Sequence, residues 1–235
     1  MGRRIIDLGS SEFAALFTGF GHTAYRLERL PWYGVGYEDR SFAEWRTSRP
    51  VQRDPERDAW TSMVRAATDA GKVFQRVHLV AALTEYLRYE FEHWYPANIA
   101  AGDDVRIWPE PPGGWPPGLP RYDYWLFDSH DLWVMNYTGD GAFEYAELVD
   151  DVDGGWTVVD ASYWRDAALH SAIPFAEFIR QGGLPAAPAM ELSSSCSHGT
   201  RQAGTATALT SGCIRAEGAQ KGAHNPVAAV TKRLR

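Results

Sequence analysis

The sequence predicts an α/β domain, a mixed β-sheet with flanking helices, and three observations carry that prediction. Residues 73–80 (VFQRVHLV) read as the clearest parallel-type strand, a helical stretch follows, and Asp104–Trp108 then alternates, which is the pattern of a β-α-β unit with parallel strands. Two runs rich in aromatic and branched residues, Tyr124–Phe127 and Leu132–Tyr137, flank the polar corner Asp128–Asp131, as in a tight β-hairpin. Their near-continuous apolar character suits central strands covered on both faces. All ten Trp, eleven Tyr and ten Phe lie at or before Phe178, so residues 1–185 are expected to fold as one domain and residues 186–235 to form a disordered or divergent tail.

Along the chain, Ser10 or Ser11 caps a helix whose Phe13, Leu16, Phe17 and Phe20 fall at i, i+3, i+4 and i+7, one apolar stripe that ends at Gly19–Gly21. Ala24–Leu30 reads as a strand with Tyr25 and Leu27 on one face, Arg26 and Glu28 on the other, and Pro31 as its end. Gly34-x-Gly36 lacks a third glycine and opens no helix, which argues against a phosphate cradle. Ser41-Phe-Ala-Glu44 has capping-box spacing and is expected to start a short helix carrying Trp45. Asp54-Pro55 starts another, with Trp60, Met63, Val64 and Ala67 on its buried face until Gly71 stops it.

Thr84 caps the helix of the β-α-β unit, which runs to about Ala101 with Leu83, Leu87, Phe91 and Trp94 inward and a kink or restart at Pro96. Residues 109–120 hold six prolines and three glycines and form a loop. After the hairpin, Thr138–Gly141 turns into a strand over Ala142–Val149. Trp156–Ala172, with Val159, Tyr163 and Ala167 at helical spacing, is a helix, and Pro174–Ile179 adds a final turn or two.

The whole-chain charge is −7, and residues 189–235 carry Glu191 and Glu217 against six basic side chains, so the first 188 residues carry −11. An acidic body opposes the counterion exchange on which non-specific nucleic-acid binding depends, and no direct nucleic-acid binding is expected. No apolar run is long enough to span a bilayer, and Met1–Asp7 leads into no apolar segment of the secretory kind, which points to a cytoplasmic protein with no membrane partner. Cys196 and Cys213 both fall in the tail, leaving the domain neither a disulfide framework nor a four-cysteine zinc site.

Few motifs carry chemistry. Glu90-x-x-His93 has the i, i+3 spacing of carboxylate di-iron bundles, but such sites need a second copy. A solvated helix face is expected instead, with Arg88 and Glu92 as an i, i+4 pair and no metal or cofactor. Asp151, Asp153 and Gly154 with Asp160 resemble part of a calcium loop, yet Val149 stands where the first carboxylate belongs, and a solvated turn is expected. His22, His78, His93, His130 and His170 are scattered with no adjacent Ser or Cys, so no catalytic residue is assigned. The candidate ligand- or partner-binding residues are charges placed beside aromatic strands: Arg26, Glu28, Arg88, Glu90 and Asp128. Arg88 and Glu90, two apart, reach different partners. Such a set either forms internal structural pairs or lines a pocket.

Ala24-Tyr-Arg-Leu-Glu28, Arg76–Val80, Thr84-x-Tyr86-x-Arg88-x-Glu90, Asn98-x-x-Ala101-Gly-Asp103, Tyr124–Asp128 and Ala172-x-Pro174-Phe175 together resemble, over residues 10–180, an actinobacterial domain family of unknown function typical of streptomycetes. Members are commonly encoded beside helix-turn-helix regulators, and the resemblance therefore implies a regulatory or accessory role with such a regulator as partner. Ala101–Trp108 and the hairpin also look like half of a phospholipase D-type domain, whose motif is His-x-Lys-x-x-x-x-Asp. Asp128 matches its last residue, whereas Arg121 stands in place of the His and Asp123 in place of the Lys. Losing the imidazole nucleophile and the phosphate clamp implies a catalytically silent version. The expected function is that of a non-catalytic cytoplasmic regulatory or sensor protein binding a partner transcription regulator or a small ligand. The alternative is a hydrolase-type enzyme using paired carboxylates such as Glu90 and Asp128.

Overall fold

Alternation along the strands decides how the molecule is layered. The structure, a computed structural model, describes residues 2–47, 51, 54–149 and 157–183. The expected tail and the Asp151–Gly154 turn lie outside the described residues. The strands described are β1 (Arg4–Ile5), β2 (Thr23–Glu28), β3 (Val73–Val80), β4 (Asp103–Pro109), β5 (Asp123–Phe127), β6 (Asp131–Tyr137), β7 (Phe143–Leu148) and β8 (Ile173–Pro174). They form one sheet in the order β1-β7-β6-β5-β2-β3-β4-β8. β2, β3 and β4 run parallel, and β5 pairs antiparallel with β2 and carries the antiparallel series β6, β7 and β1 beyond it. This is the expected mixed α/β sheet. The short edge strands β1 and β8 carry too few residues to show a period.

The helices are α1 (Ser11–Gly19), α2 (Asp39–Arg46), α3 (Pro55–Asp69), α4 (Glu85–Tyr89), α5 (Tyr95–Ala100), α6 (Val158–Ser171) and α7 (Phe175–Arg180). Ser10, Asp54, Thr84 and Thr157 each accept a hydrogen bond from the first turn that follows, satisfying amides that have no partner within the helix. Ser41 does not act this way. It lies inside α2, donates to the Glu38 carbonyl at 3.2 Å and meets the Tyr89 hydroxyl at 2.6 Å, so the helix begins earlier than the capping-box spacing suggests.

Between α4 and α5 the chain widens into a π-helical turn, Glu90–Trp94, closed by the Tyr95 amide donating to the Glu90 carbonyl. Pro96 follows at the start of α5, where it has no N–H to give the preceding turn, and the widened turn absorbs the misfit. The expected restart at Pro96 is therefore present. Its consequence is that Glu90, Phe91, His93 and Trp94 are all buried.

One sheet face carries Tyr25, Leu27, Val77, Tyr124, Leu126 and Leu132 against Ala161 and Ala168 of α6. Large side chains on the sheet fill the space between layers, so α6 presents its alanines inward. Val159 and Tyr163 are 76% and 70% exposed, and their helical spacing marks the outer face, not the packed one. The opposite sheet face has two parts. Toward α1 and α3 it is aromatic, with Phe17 edge-on to Trp60, Trp125 and Phe127 at centroid distances of 5.1, 4.9 and 5.5 Å. Toward α4 and α5 it is charged.

Candidate functional site

The charged region arises because alternate positions of the central strands point to one face. Arg26 of β2 stands opposite Arg76 of β3, and Glu28 opposite His78. Asp103 opens β4 opposite Phe74, and Asp123 opens β5 opposite Met135 of β6. Glu28, Arg76, His78, Asp103 and Asp123 are all 5% exposed or less.

Buried charges of this kind persist only when paired. Glu28 accepts Arg26 at 2.9 Å and Arg76 at 3.1 Å, and Arg76 also reaches Asp103 at 3.6 Å. Arg26 is further held between the Tyr33 and Trp125 rings, at 5.5 and 5.3 Å from their centroids. Burial works against the charge on Glu28, but Arg26 and Arg76 outweigh it and hold its carboxyl below the usual range. Asp123 takes the hydroxyl hydrogen of Tyr33 and lies 3.4 Å from Arg29. Burial nonetheless pushes it up to about 7. The His78 Nε2 faces the Leu30 carbonyl at 3.1 Å and must donate, so its Nδ1 accepts from the Tyr95 hydroxyl at 2.7 Å. Burial lowers the imidazole to about 4 and keeps it neutral.

Over these residues lies a cavity of about 110 Å³. Its floor includes Arg26, Glu28 and Arg76, its apolar walls include Phe17, Trp60 and Trp125, and its cover carries Glu38, Glu90 and Asn98. Glu90 comes from the π-helical turn and Glu38 from the residue preceding α2, where it accepts the Tyr86 hydroxyl at 2.7 Å. The two acids differ from Glu28 in forming no ion pair among the described residues, with Arg26 and Arg76 acting on Glu90, and Arg26 on Glu38, only at longer range. Burial and then the nearby Glu28 charge push Glu90 up to about 8. Burial and then Glu90 itself raise Glu38.

Of the residues the sequence offers, Arg26, Glu28 and Glu90 therefore meet at one cavity. Arg88 is exposed on the outer side of α4. Asp128 sits at the Thr23 end of β2, the opposite end from Glu28. Its carboxylate accepts the amides of Gly21, His22 and Thr23 at 2.6, 2.7 and 2.8 Å; burial works against its charge, but these bonds together outweigh it and hold the carboxyl below the usual range. Asp128 and Ser129 have φ of 53° and 51°, left-handed positions within the three-residue loop Asp128–His130 that joins β5 to β6. Asp128 thus ties the hairpin to the start of β2.

The Glu90-x-x-His93 pair is buried, not solvated, and the two side chains diverge. His93 meets Asp54 at 3.0 Å while Glu90 enters the cavity, and Glu92 accepts the Trp45 indole at 2.8 Å. Arg76, Glu38, Asn98, Tyr33 and Asp123 are the members that sequence reasoning did not place in a site. Arg76 and His78 do alternate within an apolar central strand, a pattern that marks a charge buried in a sheet. Glu90 is four residues from both Tyr86 and Trp94, which puts it on their face of the helix.

The model of the family described as domain of unknown function (DUF6879) matches residues 11–180. No curated protein matches. Among solved structures, the chain is similar to NucT from Helicobacter pylori, with a TM-score of 0.41 and 10% identity over 74% of this chain and 98% of that one. It is also similar to TrmBL2, an archaeal chromatin protein whose structure shows a novel mode of DNA binding, with a TM-score of 0.42 and 7% identity over 74% of this chain and 55% of that one.

Proposed function

We infer that this chain, which belongs to the DUF6879 family, is a non-catalytic sensor that admits a small ligand to the cavity above β2 and β3. One observation carries the reading: a covered cavity holds both an internally paired charge network, centred on Glu28, and two acids, Glu38 and Glu90, that form no ion pair among the described residues. Concave sites with aromatic walls and a few converging polar groups are where small molecules bind. The paired network makes the floor rigid, and the acids at the cover supply the recognition.

In this reading the protein acts in the cytoplasm, does not bind nucleic acid directly, and passes the ligand's presence to a partner such as a helix-turn-helix regulator. The acidic body supports the second point, and the resemblance of the sequence to actinobacterial domains encoded beside such regulators supports the third. Among the described residues no helix is long and apolar enough to cross a membrane.

An enzyme is the second reading, and it moves to a different pair. Asp128 lies at the far end of β2, about 17 Å of strand away from Glu28, so Glu90 and Asp128 do not form an acid–base couple. Glu38 and Glu90, both raised and both lining the cavity, are the carboxylates that favour this reading.

A thermal-shift screen of the full chain with small amines, alcohols and acids, followed by mass spectrometry of the recovered compounds, tests both. The sensor reading expects one chemical class to raise Tm by several degrees and to be recovered unchanged. Conversion of the compound would establish the enzyme, and no stabilisation by any class would overturn the pocket itself.

A further inference from the structure

The cavity's unmet chemistry identifies the kind of ligand it suits. Each buried cation already has its anion: Arg26 is on Glu28, and Arg76 is on Glu28 and Asp103. An anionic ligand would have to displace these contacts. The Nε groups of both arginines have no hydrogen-bond acceptor among the described residues, yet charge favours the opposite polarity, since Glu28, Glu38 and Glu90 line the cavity against these two arginines. Glu38 accepts the Tyr86 hydroxyl, Glu90 shares that hydroxyl, and neither acid forms an ion pair among the described residues, although Arg26 acts on both and Arg76 on Glu90 at longer range. A third acceptor is independent of the acids: Asn98 is 1% exposed, lines the same cavity, and its Oδ1 has no hydrogen-bond donor among the described residues. A buried acceptor without a donor costs about 1–3 kcal/mol and calls for an explanation, and an N–H group of a ligand supplies one. Three acceptors, two of them acids, face a space whose walls include Phe17, Trp60 and Trp125, rings of the kind that attract positive charge.

Resting on the sensor reading above, we propose that the cavity receives a compact organic cation, an ammonium or amidinium group on an apolar body. Its N–H groups go to Glu38, Glu90 and the Asn98 carbonyl oxygen, and its body lies against Phe17, Trp60 and Trp125. A cation entering there supplies the charge that the two acids lack, and the floor network stays intact beneath it. The paired arginines serve as rigid floor and take no part in recognition.

Calorimetric titration of the full chain at about pH 8, where the acids of the cavity ionise most readily in the presence of a cation, tests this with matched probes: benzylamine and benzamidine against benzyl alcohol, benzoate and inorganic phosphate. The expected result is that the two cations bind at least about tenfold more tightly than the neutral or anionic probes. Glu90→Gln and Asn98→Leu, each checked for its fold by circular dichroism, should weaken that binding about tenfold or more. Arg88→Ala, on the outer side of α4, should leave it unchanged. Tighter binding of benzoate, phosphate or benzyl alcohol would overturn the cationic assignment while leaving the sensor reading in place. Absence of binding by every probe would overturn both. Cation binding that survives Glu90→Gln and Asn98→Leu would place the cation elsewhere and also overturn the proposal.

Discussion

Arg76 Nη1 stands 3.1 Å from Glu28 Oε2, each side chain on the same face of neighbouring parallel strands and each almost wholly buried. The pair fixes the floor of the cavity. Arg76→Ala leaves Glu28 with one arginine and Asp103 with none. Removing one member of a buried pair typically costs about 3–5 kcal/mol, and that loss is expected in urea denaturation. A loss under about 1 kcal/mol would mean that the network is looser than its distances indicate.

Asp128 predicts a purely structural effect. Its three amide contacts join the hairpin turn to the start of β2. Asp128→Ala is expected to lower stability by about 2 kcal/mol, less than three charge-assisted bonds would suggest because the carboxylate is partly open to solvent. Ligand affinity, measured well below the new denaturation midpoint, should not change. A variant of normal stability with lost ligand binding would return Asp128 to the site.

The raised acids set a pH dependence. Glu90 rises from 4.5 in the unfolded chain to about 8 in the folded one, so the folded state holds the proton more tightly. Its contribution to stability is complete below pH 4.5 and is lost as the pH climbs through about 8. Glu38 acts in the same direction. His78 acts oppositely, since its lowered value gives stability above 6.5 that disappears as the pH falls toward 4. Comparison of wild type with Glu90→Gln isolates the first effect. The variant should gain on the wild type by at least about 2 kcal/mol between pH 5 and pH 8, and parallel stability curves would contradict the assignment.

How far the sequence reveals this protein depends on which period is being read. The strands of the β-α-β unit and the hairpin are legible because apolar residues run or alternate over five or more positions, and Ser10, Asp54 and Thr84 mark their helices by capping chemistry. Arg26 and Glu28 are legible as one face of β2. The partners Arg76, Asp103 and Asp123 lie 48, 75 and 95 residues from Glu28 in the chain, and only strand order brings them together. Asp123 is visible in the sequence as a residue standing where a motif would hold lysine, but its hydrogen bond from Tyr33 depends on a loop with no period at all. Glu90 reads as solvated because a charged residue among Arg88, Glu92 and His93 suggests an outer face. The π-helical turn ahead of Pro96 turns this segment inward, whereas the spacing of Val159 and Tyr163 marks α6 as a helix while lying on the face that meets water.

The measurement that bears most directly on the central claim is the titration of the Glu90 side-chain carboxyl by carbon-detected NMR, assigned by its absence from Glu90→Gln. In the free protein the midpoint is expected near 8, and saturation with benzylamine should draw it down toward the ordinary carboxylate range. A free-protein midpoint near the usual value of about 4.3 for glutamate, unmoved by the amine, would contradict the account.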